Sequence, residues 1–374
     1  MTSNLLARFR VAPADFPEPT LYVRTPGGVL DDRGLHLKKD ETATFDTTFA
    51  VFPAGRWCRL TNVADVLARV DATGRVRVDL VSHTDGVDTV VASSEHGEPV
   101  SCADLRGLNA ESLYVSVTAL EDNVTVRGGE WRTTSPVLRD VRLGVAITTF
   151  NRQEYVLRTI DRLLALESGV PEITGHVKVL VVDNARNLAP QVPAGAPFRL
   201  VPNPNLGGAG GFARGLMEFR EEGWSTHVVF MDDDITLEPE AIARTVTLLS
   251  HAVSEETCVH GAMMSEEQPW LQFEAGSHYE YRAVYPLRAV GRGLDMRRRA
   301  EVLHDALEID LHYSAWWFTV FPMHVAKDNP LPVFVRGDDV AFGLMHTGVH
   351  TVTMQGICVW HADFALKNNP SSLY

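Results

Sequence analysis

The sequence predicts two units: an all-β sandwich over residues 1–135, then an α/β domain with a Rossmann-like parallel sheet over residues 136–374. Three observations carry this. From about Leu21 to Trp131 the chain runs in short alternating segments broken by turn residues, with almost no long helical period. Thr133–Val141 (TTSPVLRDV) is a polar junction where the composition changes. Beyond it, apolar runs of strand length alternate with stretches of helical period.

Residues 1–20 are polar and Pro-rich, with little structure expected. Arg75–Ser82 (RVRVDLVS) puts Val76, Val78 and Leu80 on one face of a strand, and Leu113–Ala119 and Asn123–Arg127 read the same way. Asp71–Gly74, Thr84–Gly86 and Gly128-Gly129 carry turn chemistry. Such a domain serves structure, docking or sugar binding, and nothing in it has the look of catalysis.

In the second unit Leu143–Thr149 (LGVAITT) reads as a buried strand, and Gln153–Leu166 as a helix through Val156, Ile160, Leu163 and Leu164. Val177–Val182 is a second buried strand that ends at Asp183-Asn184, and Phe198–Val201 a short third. Gly207–Phe219 is a glycine-rich turn entering a helix. His227–Ile235 (HVVFMDDDI) is a buried strand that runs into Asp232, Asp233 and Asp234. Leu237–Glu240 then looks like the start of a helix reaching about His251. A nucleotide-binding half thus covers about residues 140–255 and a less regular half residues 256–374.

The totals narrow the function. A net charge of −14 excludes a nucleic-acid surface as the main business, although Arg292–Arg299 (RGLDMRRR) is a local basic patch. Cys58, Cys102, Cys258 and Cys358 stand far apart, which argues against a zinc cluster or disulfide framework and for a reducing, cytoplasmic compartment. The N-terminus lacks the apolar core of a signal peptide, and no run approaches ~20 apolar residues. Peripheral attachment to a membrane stays open.

In open α/β sheets, ligands bind beyond the carboxyl ends of the strands. Asn151-Arg152, Asp183-Asn184 and the three acids all fall there. Adjacent carboxylates repel unless a cation sits among them, and hard oxygen ligands suit Mg²⁺ or Mn²⁺, especially with phosphate. The plainer reading is an Asp that caps the next helix. Gly207-Gly208-Ala209-Gly210-Gly211 is either a flexible turn or a phosphate cradle at a helix N-terminus, with Arg214 one turn into the helix as a reach toward a diphosphate. Trp316-Trp317 are core aromatics or a face for stacking on sugar. Asp338-Asp339 are a helix cap pair or hold a general base. His361 is structural or completes a metal site with the distant acids.

These motifs occur as an ordered set: TTFNR (148–152), VVDN (181–184), NPNLGGAGGFARG (203–215), FMDDDI (230–235), YSAWWF (313–318), RGDDVAFG (336–343) and VWHADF (359–364). The set resembles the galactan-polymerising galactofuranosyltransferases of mycobacteria and related actinobacteria, over roughly residues 10–374. Members of that family are inverting, metal-dependent GT-A (nucleotide-diphospho-sugar transferase) enzymes with a β-sandwich before the GT-A domain. They continue past the histidine motif into a long, mostly helical region, whereas this sequence ends at Tyr374.

The resemblance implies a role for each matching residue. Arg152 and Asp183 lie near uracil and ribose, and Asn205 with Gly207 and Gly208 near the diphosphate. Asp232, Asp234 and His361 bind the metal, Mn²⁺ or Mg²⁺. On an extended segment Asp233 points away from its neighbours, to a donor hydroxyl or into the fold. Trp316, Trp317 and Asp338 contact the acceptor, and Asp339 is the catalytic base. The implied partners are UDP-galactofuranose and a lipid-linked or oligosaccharide galactan of the cell wall or surface. A homo-oligomer and contact with the inner face of the plasma membrane are implied with them. Two alternatives stand beside this: a transferase for another nucleotide sugar such as dTDP-rhamnose, and a non-catalytic carbohydrate-binding scaffold.

Overall fold

The computed structural model describes residues 3–11, 18–95, 97–238, 240–305, 311–334, 336–346 and 351–362. Residues 12–17, Pro239 of the expected helix start and Asp363-Phe364 of the histidine motif lie outside the described residues.

The first part is two facing sheets. Their strands are β1 Asn4–Arg10, β2 Val29–Asp31, β3 Gly34–Leu37, β4 Thr42–Thr44, β5 Val66–Thr73, β6 Val76–Thr84, β7 Val87–Glu95, β8 Val100–Cys102, β9 Ser112–Ala119 and β10 Val124–Thr133. Two short helices, α1 Ala54–Leu60 and α2 Leu105–Leu108, join them. One sheet runs β2-β3-β10-β5-β8 with β1 also on β10; the other runs β4-β9-β6-β7. Val76, Val78 and Leu80 point inward, as alternation requires. Phe9, Phe45, Phe52 and Trp131 fill the space between the sheets, and the Trp131 indole donates to the Ala50 carbonyl (2.9 Å). Burying each such ring contributes about 1.5–3 kcal/mol. Gly128-Gly129 is not a turn. It lies inside β10, where the register with β5 slips between Val126 and Gly128. Gly128 has φ +132, and a Cβ there would sit 2.3 Å from the Phe9 carbonyl oxygen, so glycine makes a bulge rather than a reversal.

The second part is one large mixed sheet flanked by helices. Its first half holds β11 Leu143–Thr149, α3 Gln153–Gly169, β12 Val177–Asp183, β13 Arg199–Pro202, α4 Gly207–Glu222, β14 His227–Asp232, β15 Thr236–Leu237 and α5 Ala241–His251. Then follow β16 Cys258–Ser265, β17 Leu271–Glu274, β18 Ser277–Tyr279, β19 Leu287–Ala289, β20 Leu294–Asp295, α6 Arg299–Asp305, β21 Phe318–Pro322, α7 Asp338–Met345 and β22 Thr351–His361. The order is β13-β12-β11-β14-β21-β16-β17-β20, with β22 on β16 and β15. β11 to β14 are mutually parallel, as the βα alternation predicts. The later half departs from that pattern: β21 runs antiparallel to β14, and β16 antiparallel to β21. The expected helix after the acids begins only at Ala241, because Thr236-Leu237 first pair with β22. Glu240 is its N-cap, so none of the three aspartates caps it.

Three arginines of the basic patch are engaged in ion pairs. Arg297 and Arg298 face Asp295, Arg298 also faces Glu301, and Arg299 reaches across to Asp46 and Asp88 of the first part.

Candidate metal and nucleotide-sugar site

The parallel register brings the motifs to one edge. Thr149 at the end of β11 stands opposite Asp183 on β12, and Thr148 opposite Asp232 on β14. The chain then turns through Asp233 and Asp234 into β15. Thr236 pairs with Trp360 and Leu237 with Val359, antiparallel. Stepping back from Thr236 on one strand means stepping forward from Trp360 on the other. That ladder carries Asp234 to His361, which lie far apart in sequence.

One ligand atom each from Asp232, Asp234 and His361 falls within 4.8 Å of the others. His361 Nε2 is 3.6 Å from Asp234 Oδ1. His361 Nδ1 lies 2.7 Å from the Ala362 carbonyl oxygen, which can only accept, so Nδ1 carries a proton and Nε2 is the nitrogen turned to the acids. The imidazole is buried and its Nε2 faces the acids.

Asp233 turns away from the trio. Its Oδ2 accepts from Thr149 Oγ1 (2.7 Å), which ties it to the end of β11. Burial raises its pKa to about 6; the Thr149 bond opposes the shift and Asp234 adds to it. Arg152 stands on the acid cluster instead of away at a base and ribose, with Nη1 on Asp234 and 3.4 Å from Asp233 Oδ1. Burial works to lower the pKa of this guanidinium, but Asp234, Asp233 and Asp232 outweigh it and raise it. Arg152 therefore supplies counter-charge to the cluster.

Asp183 is buried and committed to its own loop, accepting from the Ala185 (3.0 Å) and Leu188 (2.8 Å) amides. Its neighbour Asn184 donates to the Gly207 carbonyl (3.1 Å) and accepts from Asn203 (2.9 Å). These two asparagines, to which sequence reasoning gave no role, tie the end of β12 to the start of α4. Asn205 accepts from the Gly207 amide at 3.2 Å. Gly207 has φ +72, and a Cβ there would stand 1.7 Å from the Phe334 carbonyl oxygen. Glycine is obligatory at that crossing. Arg214 does not reach toward a diphosphate. It lies seven residues into α4, about two turns, and pairs with Glu218 at 2.7 Å.

Trp316 and Trp317 are 5% and 4% exposed, so neither presents an open face for a sugar. Trp317 Nε1 donates to the Gly261 carbonyl (2.7 Å). Trp316 packs edge-on against Phe212, Phe230 and Phe342. Phe342 belongs to α7, so Trp316 helps fix the helix that begins with Asp338 and Asp339. Those two acids occupy its first turn, with Gly337 as the N-cap. They are therefore not the cap pair. Asp338 overhangs the glycine turn: a Cβ on Gly208 would lie 3.4 Å from its Oδ2. Burial raises the Asp339 carboxyl to about 6, its bond from the Val340 amide (2.7 Å) lowers it, and Asp338 raises it again.

Glu274, at the end of β17, escaped the sequence reading. Burial pushes it up to about 7, Arg292 opposes and Asp339 adds to the shift, so it shares the electrostatic environment of the α7 acids. The available signal was a lone acid in the aromatic run WLQFEAG.

Residues 141–364, more than half of the chain, match the family model described as glycosyltransferase-like family 2. Residues 25–134 match that of the galactofuranosyltransferase 2 N-terminal domain. The chain is 29% identical over 408 residues to galactofuranosyltransferase GlfT2 of Mycobacterium tuberculosis, covering 92% of this chain and 61% of that protein. It is 28% identical over 375 residues to GlfT2 of Mycolicibacterium smegmatis, covering 90% and 56%. The chain thus spans about three-fifths of the length of these relatives. Among solved structures, GalNAc-T7 with UDP, GalNAc and Mn²⁺ aligns with a TM-score of 0.43 at 10% identity, over 63% of this chain and 45% of that one. TarS 1-349 of S. aureus aligns at 0.40 and 10%, over 59% and 60%. Among the described residues no helix is long and apolar enough to cross a membrane.

Proposed function

The chain belongs to the glycosyltransferase-like family 2, a GT-A fold behind an N-terminal domain, and from that premise we propose that it is an inverting transferase. It moves galactofuranose from UDP-galactofuranose to a hydroxyl of a growing galactan. The observation that carries this is the meeting of Asp232, Asp234 and His361 beside a glycine turn overhung by Asp338.

The donor set fits a divalent cation, Mn²⁺ or Mg²⁺: two carboxylates and a buried imidazole converge. Asp232, Asp234 and His361 would hold the ion, which would supply positive charge against the charge that develops on the departing UDP. Arg152 brings a further positive charge to the same edge. Gly207 and Gly208 let the backbone at the start of α4 come close to a diphosphate. Asp339 accepts the proton of the acceptor hydroxyl. The freed oxygen attacks the anomeric carbon from the face opposite UDP, the bond to UDP breaks, and the centre inverts. A carboxylate with a pKa near 6 is mostly ionised at neutral pH yet a better base than an ordinary aspartate.

The test is hydrolysis of three donors with and without a divalent ion. UDP-galactofuranose should be cleaved faster than UDP-galactopyranose or dTDP-rhamnose, and only with the ion. Preference for dTDP-rhamnose would replace the donor. Absence of any hydrolysis or transfer would favour a carbohydrate-binding scaffold.

A further inference from the structure

The candidate metal ligands all sit in the second domain, yet the sandwich grips the segment that follows them. Strand β1 ends in Arg8 and Arg10. Both meet Glu240, 1% exposed at the N-cap of α5. Arg10 Nη2 donates to Glu240 Oε1, and Arg8 Nη1 to Oε2 at 3.4 Å. Arg8 Nη2 also reaches Glu172, after α3, at 2.5 Å. The Glu240 amide donates to Glu238 Oε2 (2.7 Å), and the Glu238 amide to the Cys358 carbonyl of β22 (3.3 Å). From the other side Arg244 of α5 donates through Nη2 to the carbonyls of Arg8 and Phe49, both in the sandwich, at 2.6 Å each.

Directly upstream of Glu238 lies β15, only two residues long. Its pairing with Val359 and Trp360 is what sets Asp234 against His361. So short a ladder does not hold itself, and registers slip where few pairs define them. The buried acids next to it need counter-charge, and the arginines from the sandwich supply it.

We propose that the sandwich is a positioning element for the metal trio: Arg8 and Arg10 hold Glu240, and through Glu238 they hold the β15–β22 ladder in the register that brings Asp234 to His361. This rests on the metal reading above. Arg8 and Arg10 touch no reacting atom. They act through the turn, as residues that orient metal ligands do, whose loss typically weakens metal binding ~10–100-fold.

The experiment measures Mn²⁺ affinity of the full chain from the EPR signal of free Mn²⁺, alongside melting of the metal-free protein. Arg10→Ala and Glu240→Gln should each weaken Mn²⁺ binding at least ~10-fold, and Arg10→Lys should restore most of it. Arg33→Ala, which breaks an exposed ion pair with Asp31 in the same domain, should leave the affinity unchanged. Unchanged Mn²⁺ affinity in Arg10→Ala and Glu240→Gln, with only the melting temperature lowered, overturns the inference. An equal loss in Arg33→Ala overturns it too. If Arg10→Ala does not fold, Glu240→Asp against Glu240→Gln decides on the same criterion. Failure of the unaltered chain to bind Mn²⁺ removes the metal reading and this inference together, whereas donor hydrolysis tests the transferase reading separately.

Discussion

Asp339 makes the proposed chemistry titratable. Its carboxyl is raised from 3.8 to about 6, first by burial and then by Asp338, against the pull of the Val340 amide. A base works only when deprotonated, so a raised pKa moves the loss of activity up into mildly acidic pH. At pH 7 roughly nine-tenths of Asp339 is ionised; at pH 5 about one-tenth is, whereas an ordinary aspartate would still be ionised to more than about nine-tenths. The structure is that of the free enzyme, so kcat/KM is the parameter to follow. Initial rates of UDP release at saturating Mn²⁺ should fall about tenfold per unit below about pH 6. Asp233 is also raised to about 6, so the pH profile alone does not identify the group. Asp338→Asn separates them. Removing the Asp338 charge lowers the Asp339 pKa and moves the acidic limb to lower pH, while Asp338 is not among the groups that shift Asp233. Asp339→Asn should cost at least ~10²-fold in kcat with donor binding largely intact. A flat profile between pH 7 and 5, a limb unmoved in Asp338→Asn, or full turnover in Asp339→Asn would refute the assignment.

Three further outcomes follow from the geometry. Asp234→Ala and His361→Ala should each weaken UDP binding in the presence of Mn²⁺ and leave metal-free binding little changed; equal UDP affinity by calorimetry in all three proteins would remove the ligand assignment. Gly207→Ala places a methyl 1.7 Å from the Phe334 carbonyl oxygen at φ +72, so the turn must open. At least about 1–2 kcal/mol of stability should go from the left-handed backbone alone, and an unaltered melting temperature would count against the crossing. Glu274 is raised from 4.5 to about 7, so the folded state binds its proton more tightly than the unfolded chain and stability falls as pH rises from 4.5 to about 7. Glu274→Gln should therefore gain stability at pH 8 relative to pH 5, by up to on the order of 3 kcal/mol before solvent screening; equal gains at both pH values would contradict the burial effect.

Strands β11, β12 and β14 were legible because they are buried on both faces, and a strand so buried is apolar nearly throughout. Leu143–Thr149 and Val177–Asp183 have the bounds such runs predict to within one residue. Arg214 and Gly128-Gly129 were misread because local pattern is silent about competitors. Glu218 stands one turn further along the helix and captures the arginine, and neighbouring strands on both sides of Gly128 turn a supposed reversal into a bulge. Glu274 was invisible because its pKa depends on groups distant in sequence.

The acids at Asp232–Asp234 announced themselves as a charged end to a buried strand, and that much is local chemistry: apolar residues seek a two-faced interior and carboxylates its edge. Which two of the three face His361, and which one bonds to Thr149, follows from where the chain turns after β14 and from a two-residue ladder with β22. The burial of Trp316 and Trp317 and the grip of Arg8 and Arg10 on Glu240 belong to the same class. Sequence by itself determined which residue types gather at the sheet edge. Only the tertiary structure decided which atoms meet there, because hydrogen bonds and ion pairs act over a few ångströms between segments that lie far apart in chain order.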